Sequence, residues 1–222
     1  MTLFRLDASI RGPQSVTRAV ADTAEQAYLR SSGDEHVVRR DLGAHPLPSD
    51  AWAAAVGARW TPEPEWSDET RSAVRLATSL ADEVAAADAY VFALPLYNWG
   101  VDAHVKAWLD LLLTDPRFAP GSTPVTTGRP AALVVARGGA YGEGTPKFGW
   151  DHATPWYRRV LGDVLGLDLH VSEVELTLAE VNPAMAAFVD QARENARRGH
   201  ELAEAHGAEV AAKAGTAERL AG

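Results

Sequence analysis

The sequence predicts an α/β fold: a three-layer sandwich in which helices cover both faces of a five-stranded parallel sheet of strand order 2-1-3-4-5. Strand-like apolar segments alternate along the chain with amphipathic helical ones, which is the pattern of a parallel sheet. Two of the strands are apolar throughout, as buried central strands are. The 222 residues, 46% hydrophobic and 23% charged, fit one α/β domain over residues 1–222 better than two, since no linker is evident.

The first half of the chain is predicted to hold two strands and two helices. Residues 3–9 form the first strand, residues 15–30 the first helix, and residues 35–42 a more polar second strand suited to a sheet edge. Residues 43–66 carry four prolines and three tryptophans and exceed the usual loop length, which predicts a functional or interface segment. Ser67 then caps a helix whose buried stripe is Val74, Ala77, Leu80, Ala81 and Val84.

The second half is predicted to hold three strands and three helices. The third strand is "AYVFALPLY", and "DAHVKAWLDLLL" follows it as a helix. Residues 130–139 form the fourth strand, 152–166 a helix around Pro155, and 167–176 the fifth strand. Asn182 and Pro183 open the last helix, with a buried face of Met185, Phe188, Val189 and Ala192. The Ala- and Gly-rich tail, residues 207–222, is expected to fray.

Composition excludes several classes of function. The formal net charge of −9 leaves no basic stripe for nucleic acid. The absence of cysteine excludes disulfides, thiol nucleophiles and thiolate metal sites. His200 and His206 in "HELAEAH" lack metalloprotease spacing, so we expect no metal. No apolar run reaches the roughly 20 residues of a membrane helix, and the amino terminus lacks a signal-peptide pattern, so we expect no membrane partner and a cytoplasmic location.

Three unusual loops follow strands one, three and four: "DASIRGPQSVT", "LPLYNWG" and "ARGGAYGEG". Ligands of an open parallel sheet bind at the carboxyl ends of the strands, near the point where the strand order reverses. In the order 2-1-3-4-5 these three ends lie side by side. The sequence therefore predicts one ligand site built from all three loops.

The first loop is suited to a phosphate monoester. Ser9, Ser15 and Thr17 offer hydroxyls around a helix amino terminus, and Arg11 adds a charged donor. The sequence has neither a P-loop nor a G-x-G-x-x-G fingerprint, which disfavours a nucleoside triphosphate and a classical nicotinamide site. The alternative is that Ser15 is only an ordinary N-cap within a turn.

The other two loops are suited to a flat conjugated ring. Backbone amides of residues 96–99 could meet its heteroatoms, with Tyr97 and Trp99 as walls and Asn98 as a hydrogen-bonding amide. The third loop is glycine-rich, as a close backbone approach requires, and Arg137 or backbone N–H groups could face a ring edge that becomes anionic on reduction. The alternatives are a packed strand end and a flexible turn.

Together the loops indicate FMN. The segments "DASIRGPQSVTRAV", "RDLGAHPLP", "PLYNWGVDAHVKAWLDLLL" and "ARGGAYGEGTP", in this order and spacing, resemble the FMN-dependent NADH:quinone oxidoreductases, or azoreductases, of the flavodoxin-like superfamily. The resemblance extends from the first strand to the last helix. It implies a flavodoxin-like sheet and a homodimer with flavin sites at the interface. That interface would explain the tryptophan-bearing residues 43–66.

The resemblance also implies site residues. The phosphate would lie against Ser9, Ser15, Val16 and Thr17, with Arg11 nearby, and Tyr141 would lie beside the flavin. The ring edge would be Pro95, Leu96, Tyr97, Asn98, Trp99 and Gly100, and the pyrimidine end Ala136, Arg137, Gly138 and Gly139. Arg137 and Tyr141 would tune and orient the flavin, which carries the chemistry.

The implied activity is a ping-pong transfer of two electrons from NADH or NADPH through FMN to a quinone or azo acceptor. An aromatic wall suited to stacking a flat acceptor is predicted from Trp60, Tyr97, Trp99, Phe118, Phe148 and Trp150. Asp102, where the family has a proline, and the segments "TDPRFAPGSTPV" and "PKFGWDHATPWY" depart from the family pattern on the acceptor side. Three alternatives stay open: a reductase of polycyclic aromatic natural products, a flavodoxin-type electron carrier and an FMN-free scaffold.

Overall fold

The computed structural model of the protein describes residues 1–34 and 36–221, with side chains described as far as residue 217. The described residues form six strands: β1 (Leu3–Asp7), β2 (Val37–Asp41), β3 (Ala89–Tyr97), β4 (Gly100–Val101), β5 (Pro130–Ala136) and β6 (Asp168–Val174). Their helices are α1 (Val16–Ser32), α2 (Ala51–Gly57), α3 (Asp68–Ala85), α4 (Ala103–Leu112), α5 (Thr154–Tyr157) and α6 (Val189–Ala221). None of these helices is long and apolar enough to cross a bilayer.

The sheet has the order β2-β1-β3-β5-β6, and all pairs along this path are parallel. The predicted flavodoxin-like α/β fold is confirmed, and the predicted order 2-1-3-4-5 is this path when β4 is left out of the count. β4 was not predicted. It is a two-residue strand that pairs antiparallel with the end of β3, so it is too short to show in an apolar pattern.

Alternate residues of each strand face two apolar layers, which is the period-2 pattern of a sheet covered on both sides. On one face, side chains such as Phe4 and Phe92 pack against α2, α3, α4 and α5 in one cluster with Leu80, Trp108 and Tyr157. On the other face, neighbouring residues such as Leu3 and Val91 pack against α1 and α6. The three layers position the carboxyl ends of β1, β3 and β5 side by side.

The carboxyl-terminal helix differs from the prediction. Instead of fraying after His206, α6 continues to Ala221, because Val210, Ala211 and Ala214 are buried in the same cluster as α1. At Gly207 a β-carbon would lie 2.0 Å from the Ala24 carbonyl oxygen, so the glycine lets α6 touch the backbone of α1. The last predicted tail residue, Gly222, lies outside the described residues.

The helix before α6 also differs. Residues Pro183–Phe188 form a 3₁₀ turn, with the Asn182 side chain accepting a hydrogen bond from the Ala184 N–H, so the predicted Asn–Pro start is present. Of the predicted buried face, Ala192 is buried, whereas Phe188 is exposed. A 3₁₀ turn places successive side chains at a different angular spacing from an α-helix, and the predicted stripe does not carry through it.

Three other elements were missed or misjudged. Residues 43–66, predicted as a long loop, contain α2 and two 3₁₀ turns, Ala58–Trp60 and Glu63–Glu65. The run "AWAAAVG" explains α2, because alanine has the highest helix propensity. The predicted helix 152–166 is the single α-turn of α5 continued by a π-helix, Arg158–Val164. The predicted second strand began at Glu35, which lies outside the described residues, and β2 begins at Val37.

Candidate active site

A cavity of about 210 Å³ lies at the carboxyl ends of β1, β3 and β5. The three loops that the sequence singled out all contribute to it, together with the segment after β6. Its lining residues are Ser9, Arg11, Ser15, Val16, Thr17, Pro95, Leu96, Tyr97, Ala136, Gly138, Thr177 and Leu178. The structure therefore brings the predicted anion end and the predicted ring edge to one site.

The first end of the cavity is formed by the amino terminus of α1. Ser15 is its N-cap: the hydroxyl accepts a hydrogen bond from the Arg18 N–H at 3.3 Å and donates one to Thr17 Oγ1 at 3.3 Å. Val16 and Thr17 occupy the first helical positions, whose N–H groups have no intrahelical acceptor. Ser15 thus has the ordinary capping role and also faces the cavity, where hydroxyls and free N–H groups make an anion site.

The second end is formed by the part of β3 that extends beyond β1. The register of β1 with β3 ends at the pair Asp7 and Ala93, so Pro95 has β5 as a neighbour but no longer β1. A proline removes one ladder hydrogen bond, and it is tolerated where one side of the strand has lost its partner. The backbone from Pro95 to Tyr97 consequently borders the cavity.

A tight hairpin ends this strand. Asn98 and Trp99 have φ angles of +48° and +64°, and Gly100 pairs with Tyr97. Two successive positive φ angles are typical of a type I′ hairpin turn. The reversal directs Tyr97 toward the cavity, whereas the predicted site residues Asn98, Trp99 and Gly100 are not among its lining residues.

Tyr97 links the two ends of the cavity. Its hydroxyl lies 3.0 Å from Ser9 Oγ. The Arg11 N–H also donates to Ser9 Oγ, at 3.3 Å. Both hydroxyls belong to lining residues, so a ligand that spans the cavity would meet this pair at its middle.

Tyr157 supports the ring edge from behind. Its hydroxyl donates to the Pro95 carbonyl at 3.1 Å and accepts from the Asp102 N–H at 3.2 Å. Burial raises the pKa of Tyr157 well above its usual value, so it stays a neutral donor. The contact to residue 102 requires an N–H, which the proline expected there from the resemblance would not supply.

Asp102 itself is buried and caps α4, accepting hydrogen bonds from the His104 and Val105 N–H groups at 2.9 and 3.2 Å. Burial raises the pKa of this carboxyl, although the two N–H donors oppose the shift. The departure from the family pattern is therefore accommodated as a helix cap.

Either Arg137 or backbone N–H groups of this loop were predicted to face the ring edge, and in the structure the Arg137 guanidinium is directed elsewhere. Its guanidinium donates to Asp151 at 2.7 Å and forms ion pairs with Glu173 and with Glu175, the latter at 3.3 Å. It is not among the residues lining the cavity. Carboxylates are stronger partners for a buried guanidinium than a neutral ring edge, which is the physical reason for its direction.

The backbone on either side of Arg137 does reach the cavity, through Ala136 and Gly138. A β-carbon at Gly138 would lie 2.7 Å from Leu178 Cδ1, so any larger residue here would require the Leu178 side chain to shift. Gly139 is not a lining residue.

Tyr141, the second predicted tuning residue, packs into the large hydrophobic cluster and does not line the cavity. Its N–H donates to Glu175 Oε1 at 2.8 Å, and Lys147 Nζ lies 5.9 Å from its ring centroid. Burial first, and then the Asp151 charge, raise the pKa of its hydroxyl.

The predicted aromatic wall is brought together only in part. Trp99 and Trp150 meet edge to face, with ring centroids 5.8 Å apart. Phe148 and Trp60 are exposed, Trp60 to 85%, and neither lines the cavity. Phe118 is only 1% exposed and belongs to the apolar cluster that also contains Trp108 of α4, so the structure does not bring it to this wall.

Two lining residues, Thr177 and Leu178, were not predicted. The Thr177 N–H and hydroxyl donate to the Arg137 carbonyl at 3.1 and 3.2 Å, and the Leu178 N–H donates to the Gly138 carbonyl at 3.3 Å. They directly follow the carboxyl end of β6. The strand-end rule that selected the other loops could have found them.

Comparison with known proteins gives concordant results for the sequence. The profile of a family described as having a flavodoxin-like fold matches residues 1–198. A protein named FMN-dependent NADH:quinone oxidoreductase from Frankia casuarinae is 38% identical over 191 residues, covering 85% of this chain and 90% of that protein. A protein of the same name from Streptomyces avermitilis is 34% identical over 214 residues, covering 95% and 97%.

Solved structures show the same fold. An azoreductase from Bacillus anthracis superposes with a TM-score of 0.75 at 23% identity, covering 94% of this chain and 99% of that one. An FMN-dependent NADH-azoreductase from the same species, solved in complex with FMN, has a TM-score of 0.74 at 18% identity, covering 95% and 99%.

Proposed function

The chain belongs to the flavodoxin-like family of FMN-dependent NADH:quinone oxidoreductases, and from this premise we propose that it is an FMN-dependent oxidoreductase. It transfers two electrons from NADH or NADPH to a quinone, azo compound or other flat aromatic acceptor. The observation that carries the proposal is the cavity in which the hydroxyls and free N–H groups at the start of α1 lie next to the exposed strand edge at Pro95–Tyr97.

The lining residues fit FMN at both ends. Ser9, Ser15 and Thr17 supply hydroxyls, and the first N–H groups of α1 supply the partial positive charge that a phosphate requires. At the other end, the backbone of β3 and the small residues Ala136 and Gly138 leave room for a flat ring. Bound FMN supplies the two-electron chemistry between the nicotinamide and the acceptor.

The protein's own residues bind and orient. We assign the phosphate to Ser9, Ser15, Val16 and Thr17, with Arg11 at the rim. The ring edge is assigned to Pro95, Leu96 and Tyr97, and the pyrimidine end to Ala136 and Gly138. Thr177 and Leu178 close the cavity wall, and the hydroxyl of Tyr157 holds the Pro95 carbonyl in place.

We further propose that the protein is a homodimer with flavin sites at the interface. Its support is a set of large aromatic side chains exposed in the single chain: Trp52, Trp60, Phe148 and Trp150. Trp52 and Trp60 belong to residues 43–66, which we assign to this interface. Sedimentation equilibrium tests the assignment, because a monomer at micromolar concentration would contradict it. We place the enzyme in the cytoplasm, where NADH is supplied, and cell fractionation tests this.

The experiment that tests the function compares two matched N-cap variants, Ser15→Asp and Ser67→Asp. Aspartate is itself a good N-cap, so both variants should fold. Ser15→Asp brings a negative charge to the phosphate end, and we expect loss of bound FMN and of NADH oxidation with the quinone menadione. Ser67 caps α3 away from the cavity, accepting from the Thr70 N–H at 3.1 Å, and its variant should keep both.

The readouts are the flavin absorbance per protein and the steady-state rate of NADH oxidation. Full flavin occupancy in Ser15→Asp would contradict the phosphate assignment. A wild-type protein that holds FMN but oxidises no NADH without a partner reductase would be an electron carrier instead.

A further inference from the structure

A network of buried charges lies behind the first loop of the cavity. In β1, Arg5 and Asp7 are 2% and 7% exposed and pair at 3.0 Å. Arg5 also pairs with Glu25 of α1 at 3.1 Å, and Glu25 in turn binds Arg39 of β2. The network therefore runs through three elements below the cavity, ending on one side at Arg39.

The other end of the network reaches the loop itself, through Arg18. The guanidinium of Arg18 binds both carboxylate oxygens of Asp41, at 2.7 and 2.6 Å. From the same nitrogen that binds Asp41 Oδ1, Arg18 also donates to the Ser9 carbonyl at 3.0 Å. A bidentate pair fixes the orientation of a guanidinium, so the pair with Asp41 orients Arg18 toward the Ser9 carbonyl.

The Ser9 carbonyl is held from a second direction. A β-carbon at Gly43 would lie 2.3 Å from that oxygen, so the backbone after β2 packs directly on it. Asp41 Oδ1 orders this backbone by accepting from the Ala44 N–H at 2.9 Å. With its carbonyl fixed on the far side, Ser9 keeps its hydroxyl at the cavity.

Arg18 is not itself an anion ligand. It is absent from the cavity lining, and its charge is matched by Asp41 and by Asp7, whose carboxylate lies 3.8 Å away. Without Arg18, Asp41 would lose its counter-charge behind the phosphate end, whereas Asp7 would keep its pair with Arg5.

We propose that Arg18, oriented by Asp41, is a positioning residue for the cofactor phosphate: it fixes the Ser9 carbonyl and so holds the loop from Ser9 to Thr17 in its anion-binding form. The inference rests on the proposed function, since it concerns how FMN is held. It assigns a role to two residues outside the cavity. The role predicts a selective effect on the phosphate-bearing flavin.

The test measures the Kd of FMN and of riboflavin for the flavin-free protein by fluorescence quenching. In Arg18→Met we expect the Kd of FMN to rise about tenfold, equivalent to about 1.4 kcal/mol, with the Kd of riboflavin nearly unchanged. Asp41→Asn should also weaken FMN binding, although it removes a negative charge, because Arg18 is then no longer held in the orientation that reaches the Ser9 carbonyl. Arg39→Met, at the other end of the network, is the control and should keep the FMN-to-riboflavin ratio of the wild type.

Urea unfolding of each variant separates positioning from stability, because a merely structural residue would lower stability and weaken both flavins together. Should Arg18→Met fail to fold, Arg18→Lys replaces it; a single ammonium cannot reproduce the bidentate fork, and an intermediate loss of FMN affinity is expected. If the Arg18 variant keeps the wild-type ratio of the Kd of FMN to the Kd of riboflavin, or if Asp41→Asn binds FMN more tightly, the proposal is overturned. A wild-type protein that binds no FMN would refute the proposed function instead.

Discussion

Two arginines, the half-buried Arg18 and the buried Arg137, lie behind two loops of the same cavity, and they make different contacts. Arg18 donates to the backbone carbonyl of Ser9, a lining residue, and its guanidinium is held by the carboxylate of Asp41. Arg137 is itself part of the loop after β5, yet its guanidinium is turned to Asp151, Glu173 and Glu175. The first arginine supports the polar end of the cavity, and the second ties three segments together at the apolar end.

The difference shows how the two ends recognise different chemistry. The anion end presents hydroxyls and N–H groups, which must be held at fixed positions to act together. The ring end is lined by uncharged residues, among them Pro95, Leu96 and Gly138, so shape rather than charge decides what binds there. Each arginine therefore serves its own loop, and variants can test whether the two roles are distinct.

The largest expected effect comes from Arg137→Met. Removing the guanidinium leaves the carboxylates of Asp151, Glu173 and Glu175 close together without their shared counter-charge, and we expect a loss of about 3 kcal/mol in the free energy of unfolding. Urea unfolding measures this. For the protein that remains folded, the Kd of FMN should change little. Unchanged stability with a large loss of FMN affinity would contradict this structural role and indicate that Arg137 contacts the ring edge of the flavin.

Gly138→Ala should have a smaller effect that is confined to the ring end. The new methyl would lie 2.7 Å from Leu178 Cδ1, and overpacking of this kind costs about 1–3 kcal/mol. We expect weaker binding of FMN and of riboflavin alike, in contrast to the selective effect at Arg18. The double variant Gly138→Ala with Leu178→Ala should restore affinity. No change on titration with either flavin would argue against a close backbone approach here.

The smallest effect is expected from Asn98→Gly, in the hairpin between the two loops. Asn98 has a φ of +48°, which glycine adopts without the steric cost of a side chain. A gain of about 0.5 kcal/mol in the free energy of unfolding is expected, with the Kd of FMN unchanged. Differential scanning calorimetry and flavin titration measure the two quantities. A clear loss of FMN affinity would mean that the amide contacts the ring, as the sequence first suggested.

The sequence was sufficient to predict the sheet and the meeting of three strand-end loops at one cavity. The apolar run of β3 and the alternation of elements predicted the strand order, and the strand-end rule then joined the loops after β1, β3 and β5. Ser67 was correctly predicted as a cap because an N-cap is a local pattern. Local sequence patterns and simple topology rules thus predicted most of the fold.

Side-chain direction within the loops was beyond the sequence. Arg137 turns away because Glu173, Glu175 and Asp151 come from distant positions in the chain, and no local pattern reports their approach. Phe118 was placed with the acceptor for its aromatic type, yet it is buried beside α4. The role inferred for Arg18 depends likewise on Asp41 and Gly43 meeting Ser9, which is a tertiary arrangement.

The contact between Gly207 and Ala24 has a consequence for biosynthesis. It joins positions 183 residues apart, since 207 minus 24 is 183, and the buried face of α1 shares one cluster with Val210 and Ala214. Contacts between such distant residues form late, because the intervening chain must first be ordered. During translation, this side of α1 therefore stays uncovered until the buried residues of α6, as far as Ala214, have emerged from the ribosome.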